Sequence, residues 1–220
     1  MLLQLLLPTR CVVCRLPADE LCAGCRDRLP RIREPLCGRC GAPTAWPVER
    51  CRECAGRRLA FRSARAAVAY DVAVKALVSA WKERGLRRLA TVAADLVEEA
   101  VARPARTPVL TFVPPDGDRS LERGHHPPER LARELGRRWD LRVEPLLKRA
   151  RPLQQQRGLS LAERRVNVRG AFAPTGRAPP RVVLVDDVYT SGATAAAAAS
   201  ELRKAGARRV DVVTVGRAVR

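Results

Sequence analysis

This 220-residue sequence predicts an α/β fold: a mostly parallel sheet covered by helices, preceded by a cysteine-rich metal module. Three observations predict it. All eight cysteines fall in four CxxC pairs within the first 54 residues. Beyond about Leu59, apolar stretches alternate between strand and helix periods. Finally, Arg181 to Thr194, RVVLVDDVYTSGAT, joins a β-branched run to an alanine-rich helix through two acids and a small, hydroxyl-bearing turn.

The first ten residues, MLLQLLLPTR, are apolar but lack a basic leader, break at Pro8 and run into Cys11. That is too short for a secretory signal and reads as a short amphipathic helix packed on the body. The cysteine pairs are Cys11 and Cys14, Cys22 and Cys25, Cys37 and Cys40, Cys51 and Cys54. A CxxC turn aims two sulfurs at one point, and two such turns supply the tetrahedral thiolate cage of a structural Zn²⁺ site. Four pairs imply two zinc ions. Sequential pairing puts Cys11, Cys14, Cys22 and Cys25 in one site and the other four in the second; interleaved pairing fits the spacing as well. A disulfide framework needs an oxidising compartment, and a redox dithiol or an iron–sulfur site is the remaining alternative. Four-thiolate sites leave no open position for substrate, so their expected task is to fold a module spanning 1–58, ahead of a body spanning 59–220.

The body reads in order as a strand at 66–70, helices at 72–82 and 86–103, and a buried strand, VLTFVP, at 109–114. A helix at 128–139 follows, with Leu131, Leu135 and Trp139 on one face, then a strand over LRVEPLL, 141–147. Residues 148–170 lack a period and are rich in Arg and Gln, which predicts a long loop. A strand at 182–185, a helix at 193–205 closed by Gly206 and a strand at 210–215 complete the chain. Ligands of such sheets sit at the carboxyl ends of the strands.

The formal net charge is +19 and the pI about 11.1, values that point to nucleic acid, anionic surfaces or phosphorylated ligands unless they reflect a GC-rich codon bias toward Arg and Ala. The excess is local: residues 119–181 hold sixteen Arg or Lys against six acids. In residues 1–60, eleven Arg face six acids, and eight thiolates with two dications reduce the net charge there to about +1. A metal-loaded module is therefore not a strongly basic nucleic-acid finger. No window of eighteen apolar residues exists to span a bilayer, and an opening too short for a secretory signal argues against an oxidising compartment, so a cytoplasmic protein is expected.

The turn after Asp186 and Asp187 ends at a helix N-terminus, where free N–H groups and the helix dipole favour phosphate. Gly192 lets the backbone approach closely, while Thr190, Ser191 and Thr194 add hydroxyls. Two acids beside a phosphate cradle make sense if the ligand also carries vicinal hydroxyls or Mg²⁺. A ribose 5-phosphate has that chemistry.

VVLVDDVYTSGAT resembles the phosphoribosyl pyrophosphate (PRPP) loop of type I phosphoribosyltransferases. The whole chain resembles the ComF family, which joins a double zinc-ribbon-like cysteine module to a phosphoribosyltransferase-like domain. The likeness includes PTRCVVC, Arg123 and Gly124 after a VP strand end, and the ERRVNVRGAF segment ending at Phe172. It implies that Asp186 and Asp187 hold the ribose hydroxyls beside the reacting carbon, where positive charge develops as pyrophosphate leaves. It assigns the PRPP contacts to Asp186, Asp187, Val188, Tyr189, Thr190, Ser191, Gly192, Ala193 and Thr194, with Mg²⁺ accompanying PRPP. Pro114, Pro115 and Arg123 stand in the place of the pyrophosphate loop, and Arg149, Arg151, Arg164 and Arg165 in a basic loop able to fold over it. Lys82, in WKERG, matches the family's Lys-aromatic-x-Gly turn only loosely. The family's RGFNQ is RGHHPPE here, so His125 and His126 are expected as exposed loop residues ahead of a helix, the alternative being phosphate ligands or proton donors; with eight thiolates for two ions, neither is expected to bind zinc. Thr190 replaces the carboxylate of 6-oxopurine salvage enzymes, which disfavours that specificity. The resemblance further implies an association with single-stranded DNA uptake in natural competence. The alternative is a non-catalytic PRPP sensor or an adaptor that binds nucleic acid or a competence helicase.

Overall fold

The computed structural model describes residues 9–105, 107–115, 125–151 and 167–219. The amphipathic helix expected at the N-terminus, Arg123, Arg164 and Arg165 lie outside the described residues, as does most of the expected basic loop.

One short helix, α1 (Ala23–Asp27), lies in the cysteine-rich part. The body begins with β1 (Ser63–Ala69), α2 (Val72–Glu83) and α3 (Leu89–Ala100). Asp71 caps α2 by accepting from the Val74 N–H at 2.8 Å, satisfying one of its orphan donors. The helix expected from Leu86 starts later. Residues 86–88 form a tighter turn, with Leu89 and Ala90 donating three residues back to Leu86 and Arg87. β2 (Val109–Phe112) and α4 (Pro127–Trp139) come next; the prolines opening α4 need no N–H there.

The strand expected over LRVEPLL is not formed as one piece. Val143 makes a single parallel bridge to Leu110, and the next ladder donor, the Leu146 N–H, turns instead to Thr111 Oγ1 (3.1 Å) and the Glu144 carbonyl (3.0 Å). Strand geometry resumes in β3 (Leu147–Arg149), which pairs antiparallel with β4 (Phe172–Pro174), so the expected loop begins with a strand. β5 (Arg181–Tyr189), α5 (Ala193–Lys204) and β6 (Arg209–Arg217) end the chain, with Gly206 at φ +112° just after α5.

The main sheet has order β1-β6-β5-β2 and all its pairs are parallel. Side chains alternate across the central strands and so separate two cores. Val183, Val185, Val213 and Val215 pack with Leu77, Trp81, Leu89 and Leu131 of α2, α3 and α4. Val182, Leu184, Val210 and Val212 pack with Ala195, Ala198 and Leu202 of α5, whose small residues let the helix lie close to the sheet. The cysteines divide between the same two cores: Cys11 and Cys25 join the first, Cys37, Cys40 and Cys54 the second.

Candidate functional site

The structure resolves the cysteine pairing as sequential. The Sγ atoms of Cys11, Cys14, Cys22 and Cys25 all lie within 4.8 Å of one another, as do those of Cys37, Cys40, Cys51 and Cys54. Contacts of 3.8 Å (Cys14–Cys22), 3.6 Å (Cys37–Cys54) and 3.5 Å (Cys40–Cys51) are far too long for disulfides. They match the edges of about 3.8 Å expected for a tetrahedron of Zn–S bonds near 2.3 Å. Backbone donors prepare the sites. Burial opposes ionisation of Cys37, but N–H groups of Cys40, Cys51 and Arg39 outweigh it and lower its pKa to about 6. Burial and the Cys37 sulfur push Cys54 up to about 11. The donor set fits two structural Zn²⁺ ions, and no histidine belongs to either group.

The first site docks on α3, where Arg26 pairs with Asp95 (3.3 Å) and Glu99 (2.5 Å) and Arg31 pairs with Glu99 (2.9 Å). The second lies beside the loop after β5. Arg217, the last residue of β6, is 1% exposed and donates to the Cys40 carbonyl (2.6 Å) and to Glu53 (2.6 Å).

That loop is built as the sequence leads one to expect. On the β2 side the ladder ends at Val185, so Asp186 and Asp187 stand at the carboxyl edge of that neighbour. Gly192, at φ +69°, turns the chain into α5, and Ser191 Oγ accepts from the Ala193 N–H at 3.3 Å. Tyr189 is buried beneath the turn, edge-on to Phe61, and its Oη has no hydrogen-bond partner among the described residues. A Cβ at residue 192 would sit 2.2 Å from that Oη, so both the backbone angle and the space demand glycine. Asp186, Thr190, Gly192, Thr194 and Thr214 surround a small cavity of about 10 Å³, roughly the space of one water.

The two carboxylates, adjacent in sequence, face opposite sides of the sheet. Asp186 lies beside Thr214, on the α5 side, with the loop. Burial, then the charge of Asp187, raises its pKa to about 7. Asp187 is 7% exposed and forms an ion pair with Lys82 from the end of α2. Burial opposes the Lys82 ammonium, but Asp187 outweighs it and holds the pKa above the ordinary lysine value.

His125 and His126 are not the exposed loop residues expected. His125 is 7% exposed, and its Nε2–H donates to the Trp81 carbonyl at 2.7 Å, tying the start of α4 to the end of α2. The His126 side chain is 12% exposed and packs against Phe112, 5.6 Å between ring centroids. Burial is the main reason its pKa falls to about 4, with Arg149 and Lys82 adding to the effect, so it is neutral at pH 7. The aromatic and the amide of the family's RGFNQ pattern are thus replaced by an imidazole pair that fills apolar space, which polarity alone would not suggest.

Arg149 lies over the Phe172 ring (4.6 Å) and donates to the Pro115 carbonyl at 3.1 Å, bringing β3 against the expected pyrophosphate segment at Pro114 and Pro115. Arg151 points elsewhere: its guanidinium donates to the Asn167 (2.7 Å) and Arg169 carbonyls and braces the turn before β4. Asp187, Lys82, His126 and Arg149 interact electrostatically as one group. Sequence reasoning gave Lys82 only a loose role, through the WKERG turn between α2 and α3, and expected His126 in an exposed loop. The carboxylates do not by themselves form a divalent-cation site, because Lys82 already neutralises Asp187. Among the described residues, the two cysteine sets are the groups of three or more close metal-ligating side chains.

Comparison with known proteins agrees with this architecture. The double zinc ribbon domain family matches residues 2–55. Competence protein F of Haemophilus influenzae is 29% identical over 224 residues, covering 95% of this chain and 97% of that protein. The DNA utilization protein YhgH of Salmonella typhimurium is 29% identical over 226 residues with the same coverage, and competence protein ComFC of Bacillus subtilis is 26% identical over 189 residues, 81% of this chain and 75% of that one. No helix among the described residues is long and apolar enough to cross a membrane. The chain is thus similar over most of its length to the Competence protein F, YhgH and ComFC proteins, with a double zinc ribbon match ahead of a mostly parallel α/β sheet.

Proposed function

We propose that residues 59–220 form a type I phosphoribosyltransferase-like domain that binds PRPP and transfers its phosphoribosyl group to an acceptor base. The observation that carries this reading is the end of β5: a buried, unpartnered Tyr189 hydroxyl beneath a Gly192 turn that opens α5, with Asp186 alongside. The helix N-terminus and the Thr190, Ser191 and Thr194 hydroxyls hold the 5-phosphate, and Asp186 accepts from a ribose hydroxyl. Lys82 and Arg149 supply cationic donors on the Asp187 side, where pyrophosphate would depart, and any Mg²⁺ arrives as a counter-ion of the pyrophosphate. The base nitrogen bonds to the ribose carbon as the bond to pyrophosphate oxygen breaks and the base loses its proton. The relatives named for competence and DNA utilization support a setting in DNA uptake, in the cytoplasm, with single-stranded DNA or a competence helicase as partner.

Calorimetry separates the parts of this site. Asp186→Asn removes the carboxylate that accepts from the ribose hydroxyl and is expected to weaken PRPP binding by roughly 1.5 to 3 kcal/mol while inorganic phosphate binds at least as well. Gly192→Val meets the Tyr189 ring and is expected to abolish binding of PRPP, ribose 5-phosphate and phosphate alike. Pyrophosphate release across a panel of bases tests transfer itself; PRPP binding without release on any base would favour a sensor.

A further inference from the structure

We propose that the second cysteine site is a built-in support of the loop at 190–194, so that metal held there and ligand held in the loop stabilise one another, while the first site acts independently. The ligand half of this inference rests on the function proposed above.

Two separate routes join the second site to the loop. The first runs through Arg217. Its guanidinium donates from Nη1 to the Cys40 carbonyl (2.6 Å) and from Nη2 to Glu53 (2.6 Å), with Nη2 also 3.6 Å from Cys40 Sγ. The same guanidinium lies over the Tyr189 ring at 4.7 Å, and β6 places the two residues side by side in register. Tyr189 in turn presses its Oη against Gly192. The second route runs through Arg57, three residues past Cys54. Its backbone N–H donates to the Cys54 carbonyl (3.2 Å), and its Nη2 donates to the Ser191 carbonyl (2.6 Å) inside the loop.

Charge makes the coupling directional. Four thiolates around Zn²⁺ carry a net charge of about −2, which compensates the buried Arg217 cation. Without the metal the Cys40 carbonyl that Arg217 binds loses its fixed position, and the CxxC turns lose the vertex that holds them. Both changes bear on the ring beneath Gly192. Among the described residues the first site has no such link. Its cysteines pack into the core on the opposite side of the sheet, and its neighbouring arginines, Arg26 and Arg31, bind α3. Arg217 and Arg57 are positioning residues: neither needs to touch ligand to set the loop.

Linkage makes the idea measurable in both directions, since a ligand strengthened by the metal must strengthen the metal equally. The full zinc-loaded chain is mixed with a chromogenic chelator, and the release of its two ions is timed with and without saturating PRPP. PRPP is expected to slow one of the two phases by at least about fivefold and leave the other unchanged. Arg217→Lys keeps the charge but cannot span Cys40, Glu53 and Tyr189 together; it is expected to speed that same phase and weaken PRPP binding, each by about tenfold. Should that variant fail to fold, Arg57→Ala, at a half-buried side chain, is expected to remove most of the protection by PRPP with zinc content intact. PRPP that binds yet slows both phases equally, or neither, overturns the coupling, as does Arg57→Ala with undiminished protection. If neither PRPP nor phosphate binds, the proposed function falls. The coupling is then decided by hydrogen exchange of residues 189–195 as the second site is emptied: faster exchange upholds it, unchanged exchange refutes it.

Discussion

Asp186 offers a test of the site that needs no ligand. Its carboxyl is held near pKa 7 by burial and by Asp187, against 3.8 in the unfolded chain. A carboxyl whose pKa is raised on folding binds more protons in the native state, so its contribution to stability declines as pH rises between the two values. At 1.36 kcal/mol per unit, the parent should lose about 2 kcal/mol from this group between about pH 5.5 and about pH 8. Asp186→Asn carries no titrating group, so it loses none of that amount. The assay is urea denaturation of parent and variant, both zinc-loaded, at the two pH values. Comparing the two proteins at each pH cancels the titration of every other group. The variant should gain on the parent by about 2 kcal/mol at the higher pH. A difference that stays the same at both pH values would show that Asp186 is solvated and freely ionised, and would refute the reading of it as a carboxyl poised to exchange its proton for a ribose hydroxyl.

Other consequences are equally accessible. Metal analysis of the purified protein should give two zinc ions per chain, and iron, or four disulfides, would overturn the zinc assignment. Because zinc requires deprotonated thiols, zinc retention should fall as pH is lowered through the range in which Cys37, at about 6, takes up its proton, which dialysis followed by metal analysis reads directly. Lys82→Met strands the Asp187 carboxylate and should cost about 2 kcal/mol in chemical denaturation, while adding Asp187→Asn should restore about half of it; full additivity of the two changes would mean the pair does not interact. Binding to a fluorescent single-stranded oligonucleotide, followed by anisotropy, should weaken steeply with salt and show little base preference, with charge reversal at Arg151 and Arg164 reducing it most.

The sequence by itself determined the elements whose cause is local. CxxC turns declared the metal chemistry, β-branched runs the parallel strands, and Gly192 before an alanine-rich stretch the turn into α5. Each depends on residues within one or two turns of chain, where spacing and backbone preference act directly. The tertiary structure alone decided how those pieces meet. Interleaved and sequential cysteine pairing have the same spacing, and packing chose the sequential one by sending the two sites to different cores. The strand expected over 141–147 failed because the Leu146 N–H, the next donor of that edge ladder, is taken by the Thr111 hydroxyl, which only the fold brings to it. Asp186 and Asp187 look equivalent in the sequence, yet the two-residue period of β5 turns one toward the loop and gives the other to Lys82, about a hundred residues away. His125 and His126 read as exposed loop residues in the sequence, and Arg217 carries no signal there at all. Their burial depends on a carbonyl, a ring and a thiolate from distant segments, because what a polar group costs in a core is set by the partners that the fold, and not its neighbours in sequence, brings to it.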